Sequence, residues 1–103
     1  MIKYCVIYYG KPEDPAAFDD YYWTHHLPLV TRWPKLKRLA VSKGQPGDEI
    51  YQIAEIHFEN REDLDVALHS PERAVTGQDL KNFPKFNGEI KRQIFEEVEY
   101  YRA

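Results

Sequence analysis

The segment Ile2 to Tyr9 is apolar on both of the faces that a β-strand presents. β-Branched and aromatic side chains fill both sets of alternate positions, and the turn-forming residues Gly10, Pro12 and Pro15 follow. The segment Ile50 to Phe58 is also apolar on both sides. Strands of this kind are usually buried on both faces. We therefore expect a fold in which a sheet is covered from two sides.

Helix starts lie between the strand segments. Asp14 can cap free N–H groups, and Pro15 suits the first position of a helix. Asn60 and Ser70-Pro71 are starts of the same kind, for a second helical region that runs to about Asn82. The chain therefore predicts two helical regions.

The remaining strand segments complete the order of elements. Lys35 to Lys43 reads as a second strand, and about Ile90 to Tyr101 as the last, after a loop around Pro84 and Gly88. The order βαββαβ predicts a ferredoxin-like α+β fold, a four-stranded antiparallel sheet with both helices on one face. At 103 residues the chain, 1–103, is expected to form one domain.

No residues are left to cover the second face of this sheet. Regular alternation would put Tyr51 and Ile53 on one side of their strand and Ala54 and Phe58 among those on the other. A second copy of the sheet is the simplest cover, which predicts a homodimeric α+β barrel. The alternative is a partly exposed sheet decorated with tyrosines.

Several classes of partner are not expected. The formal net charge of -3 argues against nucleic acid, whose partners usually carry a basic excess. The single cysteine, Cys5, cannot form an intrachain disulfide, and no apolar run approaches the roughly 20 residues that span a bilayer. The start of the chain has no signal-peptide pattern. We expect a cytoplasmic protein without a membrane segment.

Two stretches of the chain resemble the EthD-like family of dimeric α+β barrels. Phe18 to Val30 is similar to that family's first-helix motif of an aromatic pair, a His three residues on, and then x-Pro-Leu; His26 matches the family's His. The second stretch is similar to the family's second-helix segment and comprises Ser70-Pro71-Glu72, Asp79, Asn82 and Phe83. The likeness extends over nearly the whole chain.

This resemblance implies a role in the breakdown or processing of small molecules. Members of the family act in the degradation of small compounds or on aromatic and polyketide compounds, and several are named as reductases. Related dimeric barrels include cofactor-independent isomerases, cyclases and monooxygenases, and haem-handling proteins. The fold therefore leaves the type of reaction open.

His26 is the first candidate for a catalytic residue. An imidazole titrates near neutral pH, so it can both accept and donate a proton. Phe18, Tyr22 and Leu29 share its helix face, and Pro28, which cannot donate to a helix carbonyl, should kink or end the helix near His26. The alternative is a core histidine bonded to a freed backbone carbonyl.

Asp79 is the second candidate for a catalytic residue. It interrupts an apolar stripe that includes Val75 and Phe83, and a buried carboxylate needs a partner such as an imidazolium. We predict that Asp79 orients His26; the alternative is that it faces water. Gly77 lies in the same helical segment, where a plain helix would prefer Ala, and close packing is the explanation we expect.

Three aromatic residues are predicted to bind the substrate. Tyr22 shares the helix face of His26, and its hydroxyl could hold a carbonyl oxygen; Phe18 and Phe83 would complete the pocket. Tyr21 and Trp23 cannot share that face, because successive helical residues point in different directions.

No cofactor or metal motif is present in the sequence. His25 and His26 point about 100° apart on a helix, which is a poor metal clamp, and there is no dinucleotide-binding glycine fingerprint or Gly-x-Ser-x-Gly elbow. We therefore expect a cofactor-independent enzyme of the isomerase or cyclase kind, or an oxygenase, acting on a small enolisable compound. The alternative is a non-catalytic dimer that binds a small ligand or haem.

Overall fold

Four strands form one antiparallel sheet in the computed structural model, which describes all 103 residues. The strands are β1 (Ile2–Pro12), β2 (Arg38–Lys43), β3 (Ile50–Phe58) and β4 (Phe86–Glu96). They pair in the order β2-β3-β1-β4, and every neighbouring pair is antiparallel. The predicted ferredoxin-like α+β fold is confirmed.

The helices lie where the capping residues predict them. They are α1 (Pro15–Tyr21), a π-helical turn (Tyr22–His26), α2 (Leu27–Val30), α3 (Arg61–Leu68), α4 (Pro71–Gln78) and a 3-10 turn (Asp79–Asn82). Asp14, Asn60 and Ser70 each accept a hydrogen bond from the backbone N–H three residues later, which caps α1, α3 and α4.

The first helical region widens at its centre. The N–H of Leu27 donates to the carbonyl of Tyr22, five residues earlier, and the chain then continues as α2 to Val30. The sequence predicted a kink or an end of the helix near His26. The structure has a π-helical turn there, and the helical region continues through Pro28 to Val30.

The bounds of the last strand differ from the prediction. β4 pairs with β1 along its whole length, from Pro12 opposite Phe86 to Ile2 opposite Glu96. It therefore begins earlier than predicted and ends where its partner strand begins, so residues 97–103 are not in a strand. Gly88 lies within the pairing, where a Cβ would come 1.8 Å from the carbonyl oxygen of Tyr9. The loop predicted there is wrong, because close approach of the two strands requires this glycine. β2 is also shorter than predicted: Lys35 has a positive φ of 67° and precedes it.

A bulge in β3 changes which side chains face the helices. The register shifts between Tyr8 and Tyr9, which pair with Gln52 and Ile50 respectively and leave Tyr51 without a partner. The ring of Tyr51 consequently packs edge-on against Phe18 on the helix side. The prediction that Tyr51 shares a side with Ile53 is wrong for this reason.

The helices cover one face of the sheet. Tyr4 and Tyr8 of β1 are each centred in a hydrophobic cluster with helix residues, one around Trp33 and Leu64 and the other around Phe18. The other face, which we call the open face, contributes no side chain to either cluster. Its apolar side chains are Cys5, Ile7, Tyr9, Ala40, Ile50, Ile53 and Phe95.

Candidate active site

A cavity of about 60 Å³ lies between the sheet and the helices. Its floor is made by side chains of β1 and β3, including Tyr4, Val6 and Ile56, and its walls by Tyr22 and His26. Nine of the fourteen lining residues are hydrophobic, so the few polar groups that reach the cavity dominate its chemistry.

His26 and Asp79 form a buried pair beside this cavity. His26 Nδ1 lies 2.9 Å from Asp79 Oδ2, and the two residues are only 6% and 9% exposed. The π-helical turn supplies the histidine, and the 3-10 turn after α4 supplies the carboxylate. The structure thus brings together the two residues that the sequence predicts as catalytic. His26 Nδ1 is thus bonded to a side chain, and not to a backbone carbonyl as in the alternative. Asp79 is buried, and does not face water.

Asp79 accepts hydrogen bonds from three side chains. The hydroxyl of Tyr21 donates to Oδ1 at 2.5 Å, and the Asn82 amide donates to the same oxygen at 3.2 Å. Burial acts to raise the pKa of Asp79, but the hydrogen bonds from Tyr21, His26 and Asn82 outweigh burial and hold that pKa below its usual value. Asp79 is therefore a carboxylate at neutral pH.

The same environment keeps His26 neutral. Burial lowers its pKa below 6.5, and the neighbouring Asp79 only partly opposes that shift. A neutral imidazole that donates from Nδ1 to a carboxylate carries its lone pair on Nε2. That atom has no hydrogen-bond partner in the chain and is not among the fully enclosed polar atoms. His26 is therefore arranged to accept a proton on Nε2.

The π-helical turn explains why two residues of one helix reach the same carboxylate. In an α-helix, residues five apart such as Tyr21 and His26 would point about 140° away from each other. The wider turn at Tyr22–His26 brings both side chains onto Asp79. Insertions of this kind recur at functional sites.

Two tyrosines line the cavity near His26. The ring of Tyr22 stacks on His26 with centroids 5.5 Å apart and packs edge-on against Tyr8 at 5.7 Å. Burial raises the pKa of Tyr8 to about 12 and raises that of Tyr22 as well. Both phenols are therefore neutral at pH 7 and can act as hydrogen-bond donors.

Phe18 and Phe83 lie behind the cavity wall and not on it. Phe18 is fully buried among aromatic rings, including a stacked Tyr22 at 6.0 Å, while the ring of Phe83 meets His26 edge-on at 4.6 Å. Their predicted contact with a substrate stays a prediction. In the structure, Phe18 packs on Tyr22 and Phe83 packs on His26, so the two phenylalanines hold these side chains in place.

Sequence reasoning missed several polar residues of the site. Tyr21 and Asn82 hold Asp79, and Trp33 donates its indole N–H to Thr76 at 2.9 Å in the cavity wall. Two arginines, Arg73 and Arg92, also line the cavity. No sequence motif marks these residues. The available signal for Tyr21 was its position five residues before a candidate catalytic histidine.

The chain is similar in sequence to one protein family over most of its length. The model of the EthD domain family matches residues 11–86. No helix of the chain combines the length and the apolar composition needed to cross a lipid bilayer.

Three relatives illustrate the similarity. An uncharacterized 11.0 kDa protein encoded in the thcB-thcC intergenic region of Rhodococcus erythropolis is 39% identical over 82 residues, covering 75% of this chain and 79% of the relative. An EthD family protein of Bacillus halodurans has 30% identity and a TM-score of 0.82, covering 95% and 99% of the two chains. SnoaB, a cofactor-independent oxygenase from Streptomyces nogalater, has 13% identity and a TM-score of 0.69, covering 99% and 97%. At that identity the last match concerns the fold alone.

Proposed function

This chain belongs to the EthD domain family, and we propose that it is a cofactor-independent enzyme that removes a proton from a small cyclic or aromatic compound. The observation that carries the proposal is the buried His26–Asp79 pair, which leaves Nε2 free on a histidine that lines a largely apolar cavity. The substrate would be enolisable, with the acidic C–H next to a carbonyl group. The combination of a neutral base, a fixed carboxylate and phenol donors supports this chemistry.

The proposed reaction begins with transfer of the proton from substrate carbon to His26 Nε2. Asp79 stabilises the resulting imidazolium and fixes the ring, so that it is a positioning residue. The negative charge moves to the carbonyl oxygen, where the hydroxyls of Tyr8 or Tyr22 would donate hydrogen bonds. Where a C=C bond adjoins the acidic C–H, the intermediate is a conjugated dienolate, and isomerisation is completed when His26 returns the proton to its far carbon. Attack of the enolate carbon on a second carbonyl of the same molecule would instead give cyclisation, and the alkoxide formed would take the proton from His26.

Oxygenation is the variant in which the substrate carbanion reacts with molecular oxygen. SnoaB, which shares the fold, is described as a cofactor-independent oxygenase. The same base would start that reaction, so the geometry supports proton abstraction as the common first step. We place isomerisation or cyclisation first because neither needs a co-reactant.

Haem does not fit the residues of this site. His26 is only 6% exposed, and the cavity beside it, about 60 Å³, is far smaller than a porphyrin ring. The site therefore favours a ligand whose reactive end enters the cavity while the rest lies nearer its opening.

Proton exchange offers a test that needs no knowledge of the natural substrate. Cyclic ketones such as 2-tetralone and 1-indanone would be incubated in D₂O, and deuterium uptake next to the carbonyl followed by NMR. We expect the wild type to accelerate uptake and His26→Ala to lose about 10²-fold or more of that acceleration. His69→Ala is the matched control, because His69 is exposed and bonds only to the backbone of its own helical region.

A fully active His26→Ala variant would sink the proposed mechanism. If the wild type bound these ketones without accelerating exchange, the non-catalytic ligand-binding alternative would be favoured instead. Circular dichroism of each variant would confirm that the fold is retained.

We also infer that two copies of the chain pair through the open face. Ile7 and Ile53 lie side by side on it, and Phe95 is 37% exposed there. Around this apolar strip Lys3 binds Glu55 at 2.9 Å, and an Arg38 nitrogen lies 3.5 Å from His57. The open face of a second copy would bring the same apolar strip and the same paired charges, so it would complement this surface.

A further inference from the structure

Two arginine side chains at the cavity have no acidic partner. Arg73 of α4 and Arg92 of β4 both line it, and neither belongs to any ion pair of the chain. Arg92 donates only to the carbonyl of Ile90 in its own strand, at 3.5 Å, and the Arg73 guanidinium makes no hydrogen bond. Two like charges beside one largely apolar cavity are unfavourable unless an anion joins them.

The two arginines reach the cavity from different layers of the fold, Arg73 from the helices and Arg92 from the sheet. In the pairing of β4 with β1, Arg92 stands opposite Val6, on the face that the helices cover. Arg92 is exposed because β4 is an edge strand, and Arg73 is half-buried. Both arginines are thus more exposed than His26, which is buried in the cavity wall, and we infer that they lie nearer the opening of the cavity.

Gly77 leaves free space on the same side of α4 as Arg73. The two residues are four apart and so lie on one helix face. A Cβ built on Gly77 meets no atom within 4 Å, and its φ is not among the positive ones. The prediction that close packing requires this glycine is therefore wrong. A strained backbone does not account for the glycine either. Gly77 lines the cavity, so its missing side chain keeps open a path past Arg73.

We propose that the ligand of this cavity carries an anionic oxygen group, a carboxylate being the simplest, that binds between Arg73 and Arg92 while its apolar body passes Gly77. The proposal rests on the function proposed above in one respect: the cavity must be a ligand site. Guanidinium groups recognise carboxylates through paired charge-assisted hydrogen bonds. The apolar end of the ligand would bind inside the cavity, and its acidic end would bind to the arginines nearer the opening.

Matched pairs of probes test the charge requirement directly. Benzoate with benzamide and 2-naphthoate with 2-naphthamide share an aromatic body and differ in the anionic group. Binding would be followed in ¹H–¹⁵N spectra through the indole N–H of Trp33 and the amide of Gly77, both of which line the cavity. We expect each carboxylate to bind about tenfold or more tightly than its amide.

Substitution of the arginines should remove the preference. Arg73→Gln and Arg92→Gln should each weaken carboxylate binding about fivefold or more and leave amide binding unchanged, and the double variant should bind both equally. Arg32→Gln is the matched control, because Arg32 is exposed, makes no ion pair and does not line the cavity.

Each other outcome counts against the proposal. Equal binding of carboxylate and amide by the wild type, or a preference that survives in the double variant, overturns the anion-binding role but leaves the cavity as a ligand site. If no probe of either pair shifts the Trp33 or Gly77 signals, the assignment of the cavity as a ligand site fails as well. The comparison within the wild type does not depend on whether any variant folds.

Discussion

Replacing Gly77 with alanine should make the protein more stable and its cavity a poorer ligand site. Glycine in a helix costs about 0.5 to 1 kcal/mol relative to alanine, through the greater freedom of the unfolded chain. That gain is available because the new Cβ meets nothing within 4 Å. Gly77 is the last residue but one of α4, so we expect a value at the lower end, about 0.5 kcal/mol.

The expected change in melting temperature follows from the size of the chain. The entropy of unfolding is about 2.1 cal/mol/K per residue, which for 103 residues is about 0.2 kcal/mol/K. A gain of about 0.5 kcal/mol therefore corresponds to about 2 °C, and the full gain to about 5 °C. Thermal unfolding would be followed by circular dichroism at one fixed protein concentration, since self-association would make the midpoint depend on concentration.

The same variant should bind 2-naphthoate more weakly, because its methyl group would occupy the path beside Arg73. Ala74→Gly is the matched control: Ala74 is exposed in the same helix and does not line the cavity. It should lower the midpoint by about 5 °C, because Ala74 is in the middle of α4, and leave binding unchanged. A lower midpoint for Gly77→Ala would mean that the space is not free. A higher midpoint with unchanged binding would refute the idea that Gly77 gives the ligand access to the cavity.

Three further predictions concern other parts of the molecule. Tyr21→Phe removes a 2.5 Å hydrogen bond from Asp79 and should raise the pKa of that carboxyl, detected by ¹³C NMR as a carboxyl titration moved to higher pH. Burial lowers the pKa of His26 below 6.5 in the folded chain, so the unfolded chain binds a proton at His26 more tightly than the folded chain does. The free energy of unfolding in urea should thus fall as pH drops from about 6.5, and fall less in His26→Gln; equal slopes would contradict this. Phe95→Glu should convert a dimer to a monomer in light scattering, whereas Val66→Glu, at a residue 50% exposed on α3, should not.

Local signals in the sequence predicted the helix starts and the element order because those features depend on neighbouring residues. A capping side chain such as Asn60 acts on an N–H three residues away, wherever the rest of the chain lies. Strand bounds depend instead on the partner. β4 stops at Glu96 because β1 begins at Ile2, although the apolar pattern of the sequence continues to Tyr101. The β3 bulge that turns Tyr51 toward Phe18 is likewise a property of the pairing and has no local signal.

The site shows the same division between local and long-range information. A carboxylate within an apolar stripe was enough to suggest that Asp79 is buried and paired, and the helix face of His26 identified Tyr22 as its neighbour. Tyr21 was rejected on α-helical geometry, which the π-helical turn does not follow. Arg92 could not be found because only the pairing of β4 with β1 places it at the cavity, and no local signal in the sequence shows that pairing.

The hydrogen bonds at Asp79 explain how one small cavity can hold both a base and free cations. Its two oxygens already accept from Tyr21, Asn82 and His26, so the carboxylate has little capacity left for an arginine. The arginines therefore remain available to a ligand, and the carboxylate acts on the histidine alone. An arginine bound to Asp79 would weaken its hold on the imidazolium that proton abstraction creates. Separation of the two charge systems is thus a condition of the proposed chemistry, and the three hydrogen bonds that Asp79 accepts favour it.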